Sequence, residues 1–186
     1  MSDASPSGDG GERAPELLDS RELCRTRIFE VHRDRVRLPS GVEQDWAVVR
    51  HGGAVAVAAV DARGRLLLVR QYRHATGGWL DEVVAGRLEP DEDPLEAARR
   101  ELEEEAGLVA AAWERVTDFF PAPGFCSERI TLFLATELAS AGPDRRPPDP
   151  DEELEVLWRD PAEVLATSRD AKTLIAAAHL VERHAR

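Results

Sequence analysis

The stretch Gly86-Arg87-Leu88-Glu89-Pro90-Asp91-Glu92-Asp93-Pro94-Leu95-Glu96-Ala97-Ala98-Arg99-Arg100-Glu101-Leu102-Glu103-Glu104-Glu105-Ala106-Gly107-Leu108 decides how this chain is read. Asp93-Pro94-Leu95-Glu96 has the form of a helix start. Asp93 caps, Pro94 takes the first helical position, where its missing N–H costs nothing, and Glu96 completes a capping box. Gly107 can adopt the left-handed conformation that ends helices, so the spacing predicts a helix from Pro94 to Ala106, about 20 Å long. On it Glu101 and Glu105 are four residues apart and share a face, with Glu104 beside them. Like charges so placed weaken a helix, which fits either a solvated acidic face or a bound cation. Hard carboxylate oxygens suit Mg²⁺ or Mn²⁺.

The wider spacing separates these alternatives. Gly86 is followed by Glu92, then Arg100-Glu101, Glu104-Glu105 and Gly107, with Leu102 and Leu108 between and after them. If each of these seven identities arises about once in ten to fifteen by average usage, one window matches by chance roughly once in 10⁷ to 10⁸. The pattern matches the Nudix box at every fixed position. The chain thus resembles the Nudix hydrolases, sharply over 86–108 and more loosely from about Leu18 to the C-terminus.

Outward from the box, Ala54 to Val60 and Arg65 to Tyr72 are β-prone runs joined by Asp61-Ala62-Arg63-Gly64, and they read as central strands of a sheet. Trp79 to Val84 is a further strand, after which the chain enters a turn at Gly86. More strands are expected near Val116 to Phe120, Ile130 to Thr136 and Leu154 to Trp158. Asp160-Pro161 opens a short helix, and Asp170 caps a last one running to about His184. From Leu17 to Arg50, Val36 and Leu38 alternate with Arg35 and Arg37 before Pro39-Ser40-Gly41, and Val42 to Val49 return, a hairpin signal. Residues 1–16, rich in Ser, Gly, Asp and Pro, read as a disordered tail. Strands interleaved irregularly with a few helices indicate a mixed α/β sandwich rather than a Rossmann-like sheet.

What the resemblance implies is more specific. The fold would be a Nudix-type α/β/α sandwich with a mixed sheet over residues 51–186, plus a small N-terminal antiparallel β region over 17–50. Metal would be held by Glu101 and Glu105, by Glu104, and by the backbone carbonyl of Ala85, with Arg100 fixing a ligand carboxylate. The base that takes the proton from the attacking water would come from Asp151-Glu152-Glu153, Glu152 first among them. Val69-Arg70-Gln71-Tyr72-Arg73, Gly77-Gly78-Trp79-Leu80-Asp81-Glu82, Pro123 and the stretch Phe119 to Arg129 resemble the ADP-ribose pyrophosphatases within the family. By that likeness Arg73 would contact a phosphate, Glu82 and Glu128 would accept hydrogen bonds from ribose or base, and Trp46 would stack on adenine. A homodimer formed through the N-terminal strands is implied too. Val84 stands where these proteins usually have Pro before the Ala-Gly pair. The alternatives are another nucleoside diphosphate sugar or a dinucleotide as substrate, or a non-catalytic ligand sensor.

Composition narrows the field further. The net charge of -12 opposes binding to a phosphodiester backbone, and no basic run interleaved with aromatics occurs, so nucleic acid is not an expected partner. Cys24 and Cys126 are far apart and outside metal-ligand spacing, which argues against a disulfide framework or zinc and suits a reducing cytoplasm. No basic-then-apolar leader and no run of 18 apolar residues is present, so neither export nor a membrane span is expected.

Overall fold

The computed structural model describes residues 13–143, 145–147 and 154–185. Most of the expected tail and the trio Asp151-Glu152-Glu153 lie outside the described residues. The chain divides into two compact units, 1–50 and 51–186.

The first unit is a three-stranded antiparallel sheet in the order β1-β2-β3, built from β1 (Glu16–Arg25), β2 (Phe29–Arg37) and β3 (Glu43–His51). The expected hairpin joins β2 and β3. Leu38 N–H donates to the Val42 carbonyl at 2.8 Å, and Gly41 takes φ 86° to close the turn. Arg35 and Arg37 both donate to Glu43 across it. β1, at 10 residues, is longer than the short strands expected here and is exposed along both faces.

In the second unit β4 (Ala54–Ala59) lies inside a four-stranded sheet, β7-β4-β9-β8, which adds β7 (Val84–Arg87), β8 (Leu108–Phe119) and β9 (Ile130–Ser140). β4 runs parallel to β9 and antiparallel to β7. A separate three-stranded sheet, β10-β5-β6, holds β5 (Leu66–Arg73), β6 (Gly78–Glu82) and β10 (Glu155–Arg159). The helices are α1 (Pro94–Ala106), α2 (Pro161–Thr167) and α3 (Ala171–His184). None among the described residues is long and apolar enough to cross a membrane.

Every residue of β4 is buried, because its two faces meet different cores. Ala54, Ala56 and Ala58 pack with Leu66, Leu68, Leu132 and the α2 and α3 residues Val164, Ala176, Ala177 and Leu180. Val55, Val57 and Ala59 pack with Leu67, Val69 and the α1 residues Ala97, Ala98 and Leu102. A strand alternates its side chains, so helices on both sides make the α/β/α sandwich that the sequence implies. Small alanines face α3, and each fully buried Val on the other face contributes about 1.5–3 kcal/mol.

Three expectations need correction. The runs now seen as β4 and β5 belong to different sheets, joined only by an isolated Val60–Leu66 bridge. Trp79 to Val84 is not one strand: the chain leaves the small sheet after Glu82 and enters the large one at Val84, so Gly86 sits in β7 opposite Val55 and not in a turn. The turn comes later, where Asp91 takes φ 60°. β8 begins at Leu108, well before Val116, since the Ala-rich start pairs with β9 although its residues have little intrinsic strand signal.

The sheet switch has a local cause. Val83 N–H donates to the buried Thr173 hydroxyl at 2.9 Å, and that hydroxyl donates to Asp170 Oδ2 at 2.6 Å. The first turn of α3 therefore supplies the hydrogen bond the strand would otherwise have to find. Thr173→Val leaves a buried N–H unsatisfied, and urea denaturation is expected to show a loss of about 1–3 kcal/mol. Unchanged stability would mean that another group takes over this bond.

Candidate active site

α1 forms as its sequence dictates. Asp93 accepts from the N–H groups of Leu95 and Glu96, Pro94 opens the helix, and Gly107 closes it at φ 65° with its N–H donating to the Glu103 carbonyl. The second half of the capping box is replaced, because Glu96 pairs with Arg99. These ends fix the rotation of the helix and hence which residues face β7.

Glu101 faces it. The residue is 8% exposed, and a Cβ at position 86 would fall inside its carboxylate. Only glycine at position 86 lets that carboxylate lie against the strand, next to Ala85. Glu104 and Glu105 follow on the same side of α1, both half-buried.

Arg100 ties the carboxylates together. Its guanidinium donates to both oxygens of Glu92 at 2.9 and 3.0 Å, to Glu101 at 2.6 Å, to Glu104 at 3.1 Å and to the Arg87 carbonyl at 3.0 Å. One side chain thus joins the turn before the helix, the helix and the strand. Its pKa is raised by the Glu92 bonds first, against burial, with Glu101 adding to the effect. Glu92 is lowered by the same contact, so Arg100 and Glu92 remain ionised.

A second charged group stands on β5, β6 and α3. Arg73 donates through Nε and Nη2 to the two oxygens of Glu82, each at 2.8 Å. Lys172 donates to Glu82 at 2.5 Å and to Asp170 at 3.0 Å. Glu82 is only 2% exposed; burial alone would raise its pKa, but Arg73 and Lys172 outweigh that and hold it down to about 2. The Arg73 guanidinium is raised by Glu82 first and also feels Glu105, which puts this group within electrostatic reach of α1.

The other site residues named from sequence have partners of their own, belong to the first unit or fall outside the described residues. Glu128 has an oxygen 3.7 Å from His51 Nδ1, and the neighbouring Ser127 hydroxyl accepts from His51 N–H. Trp46 is on β3 of the first unit, 41% exposed. Glu152 is outside the described residues. Glu82, expected to meet ribose or base, accepts from Arg73 and Lys172. Lys172 and Thr173 were missed by sequence reasoning, although one signal was visible: Lys172 is the single lysine among 24 basic residues. A cavity of about 670 Å³ is lined by Arg70, Trp79, Asp81 and Arg159, but it opens against α2, on the face of the β5-β6 pair that carries Leu68 rather than the one that carries Val69 and its partner Glu82.

Whether a divalent cation suits these residues is answered by the donor set. Carboxylates of Glu101, Glu104 and Glu105 and the carbonyl of Ala85 are hard oxygens of the kind such an ion takes, and Gly86 leaves space for the Glu101 carboxylate beside Ala85. Among the described residues, the group whose ligand atoms already lie within 4.8 Å of one another is a different one, Glu22, Glu30 and His32 in the first unit. There Arg25 pairs with both glutamates, so part of their charge is already offset.

Comparison with known proteins agrees with this geometry. Residues 50–178 match the NUDIX domain, and the chain belongs to the Nudix hydrolase family. Residues 16–49 match the nucleoside diphosphate sugar hydrolase N-terminal domain. An ADP-ribose pyrophosphatase of Bacillus subtilis (strain 168) is 37% identical over 173 residues, covering 88% of this chain and 93% of that protein. One of Mycobacterium tuberculosis (strain ATCC 25618 / H37Rv) is 43% identical over 128 residues, covering 68% of this chain and 62% of that protein. The crystal structure of an ADP compounds hydrolase superposes with a TM-score of 0.80 at 24% identity, covering 94% of this chain and 96% of that one, which places the fold.

Two outcomes follow from the geometry. Gly86→Ala should displace the Glu101 carboxylate and lower turnover by roughly 100-fold with the circular dichroism spectrum unchanged; normal turnover would show that Glu101 need not lie there. Glu82 ionises in the folded protein at about 2 instead of 4.5, so its stabilising effect is complete above about pH 4.5 and is lost as pH falls toward 2. The stability gap between wild type and Glu82→Gln should therefore narrow by about 1.4 kcal/mol per pH unit below 4.5 in denaturation measurements. A gap independent of pH would contradict the ion-pair account.

Proposed function

We propose that the protein hydrolyses a nucleoside diphosphate linked to a sugar, with ADP-ribose as the substrate split into AMP and ribose 5-phosphate. The observation that carries this reading is the continuous likeness from residue 16 to 178, an N-terminal domain of nucleoside diphosphate sugar hydrolases followed by a Nudix domain. The two relatives named as ADP-ribose pyrophosphatases favour the adenine nucleotide.

In this reading Glu101, Glu105, Glu104 and the Ala85 carbonyl hold Mg²⁺, with Mn²⁺ as a substitute. Bound there, the metal neutralises the diphosphate and lowers the pKa of a coordinated water. The chain's own residues do the rest. Arg100 keeps Glu101 and Glu104 in register with β7. Arg73, fixed by Glu82, presents its remaining N–H groups to a phosphate. Glu152 takes a proton from the attacking water, whose oxygen bonds to one phosphorus as that phosphorus loses its bond to the bridging oxygen, giving AMP and ribose 5-phosphate. Trp46 and Glu128 meet base and ribose.

Homodimerisation through residues 17–50 is part of the same proposal. It is supported by β1, exposed on both faces, and by exposed Leu17, Leu23, Ile28, Val42 and Trp46, apolar surface of the kind that interfaces cover. A cytoplasmic setting suits the free Cys24 and Cys126.

The test is product analysis after incubating the protein and Mg²⁺ with ADP-ribose, UDP-glucose, GDP-mannose, NADH and dATP. AMP from ADP-ribose is the expected main product; selective turnover of another compound would keep the family chemistry and discard ADP-ribose, and binding without turnover would favour a sensor. Glu105→Gln is expected to lower the rate by about 100-fold or more with the fold intact, since it removes one charge from the metal site without a change of shape. Glu152→Gln should lower kcat with little change in KM, and an unchanged kcat would move the base elsewhere.

A further inference from the structure

Lys172 stands where a lysine is unfavourable. It lies in the first turn of α3, whose N-terminal N–H groups already present positive partial charge, so a cation there is repelled by the helix. Its side chain is 12% exposed, which adds a desolvation cost. The chain uses arginine at every other basic position. What holds the ammonium is a pair of carboxylates, Glu82 from β6 and Asp170 from the helix cap.

The arrangement makes sense as charge balance around Arg73. Glu82 is buried, and Arg73 alone would suffice to neutralise it. Lys172 shares the Glu82 charge from the other side, donating to the oxygen that also takes Arg73 Nη2. Arg73, whose side chain remains 41% exposed, has its plane fixed by the two-point contact, and with Asp170 on Lys172 the two cations and two carboxylates balance. A compact ammonium approaches Glu82 Oε2 end-on, where a second planar guanidinium would have to stack or fork.

We propose that Lys172 is a positioning residue for substrate binding, which holds Glu82 and through it the orientation of Arg73 toward the diphosphate. This rests on the reading above that Arg73 meets the diphosphate. Lys172 touches no substrate itself, so its loss should raise KM while the chemical step at the box carboxylates continues.

The experiment is a double-mutant cycle in the full-length protein with Mg²⁺ and ADP-ribose, each variant first shown to be folded by its thermal melt. Lys172→Met is expected to raise KM about tenfold with kcat within about twofold, and to add less than about twofold when combined with Glu82→Gln, because the carboxylate it acts through is gone. Effects on KM that multiply, or a fall confined to kcat, would overturn the proposal. Arg73→Ala separates this failure from that of the underlying reading. If Arg73→Ala raises KM and Lys172→Met does not, only the role of Lys172 falls; if Arg73→Ala leaves KM unchanged, the diphosphate contact falls and the role of Lys172 with it. Lys172→Gln enters the same cycle, with the same expected outcome, should the Met variant not hold its fold.

Discussion

The Glu101 carboxylate occupies the space that a side chain at position 86 would take, and the neighbouring residues keep it there. Buried charge is costly unless paired, and Arg100 provides the pair while also holding Glu92, Glu104 and the Arg87 carbonyl. Strand β7, the turn after it and helix α1 are thus joined by one guanidinium, and the acidic face of α1 is presented to the backbone of Ala85 and Gly86. Without glycine at 86 the strand and the carboxylate could not approach.

Position 86 is itself set from a distance. The chain must leave the small sheet at Val83 to bring Ala85 and Gly86 beside β4, and the hydrogen bond that permits this comes from Thr173 at the start of α3. The same turn of α3 carries Lys172 to Glu82, and Glu82 carries Arg73. One helix N-terminus therefore fixes both the strand that faces Glu101 and the cation group on β5. Around Glu82 two carboxylates, Glu82 and Asp170, meet two cations, Arg73 and Lys172, whereas on α1 Arg100 alone serves Glu92, Glu101 and Glu104.

How much of this was legible in the sequence depended on range. α1 was readable to the residue because Asp93, Pro94 and Gly107 act locally on caps and turns, and the box glutamates were readable because helical spacing fixes their face. α2 and α3 announced themselves through Asp160-Pro161 and Asp170 for the same reason. The division of the strands into two sheets was not readable: Val83 looks like its neighbours, and what breaks the strand there is a hydroxyl 90 residues away. The start of β8 was hidden by alanines that pair through backbone alone. Glu82 read as a ligand for substrate because its motif is shared, yet its partners Arg73 and Lys172 meet it only in the folded chain, and the one hint was a solitary lysine among arginines.

The account turns on where a divalent ion binds, and anomalous diffraction from crystals soaked in Mn²⁺ measures that directly. The predicted result is density beside Glu101 and Glu105, within reach of the Ala85 carbonyl, in the wild type and its loss in Gly86→Ala. Density confined to Glu22, Glu30 and His32, or unchanged box density in Gly86→Ala, would contradict it.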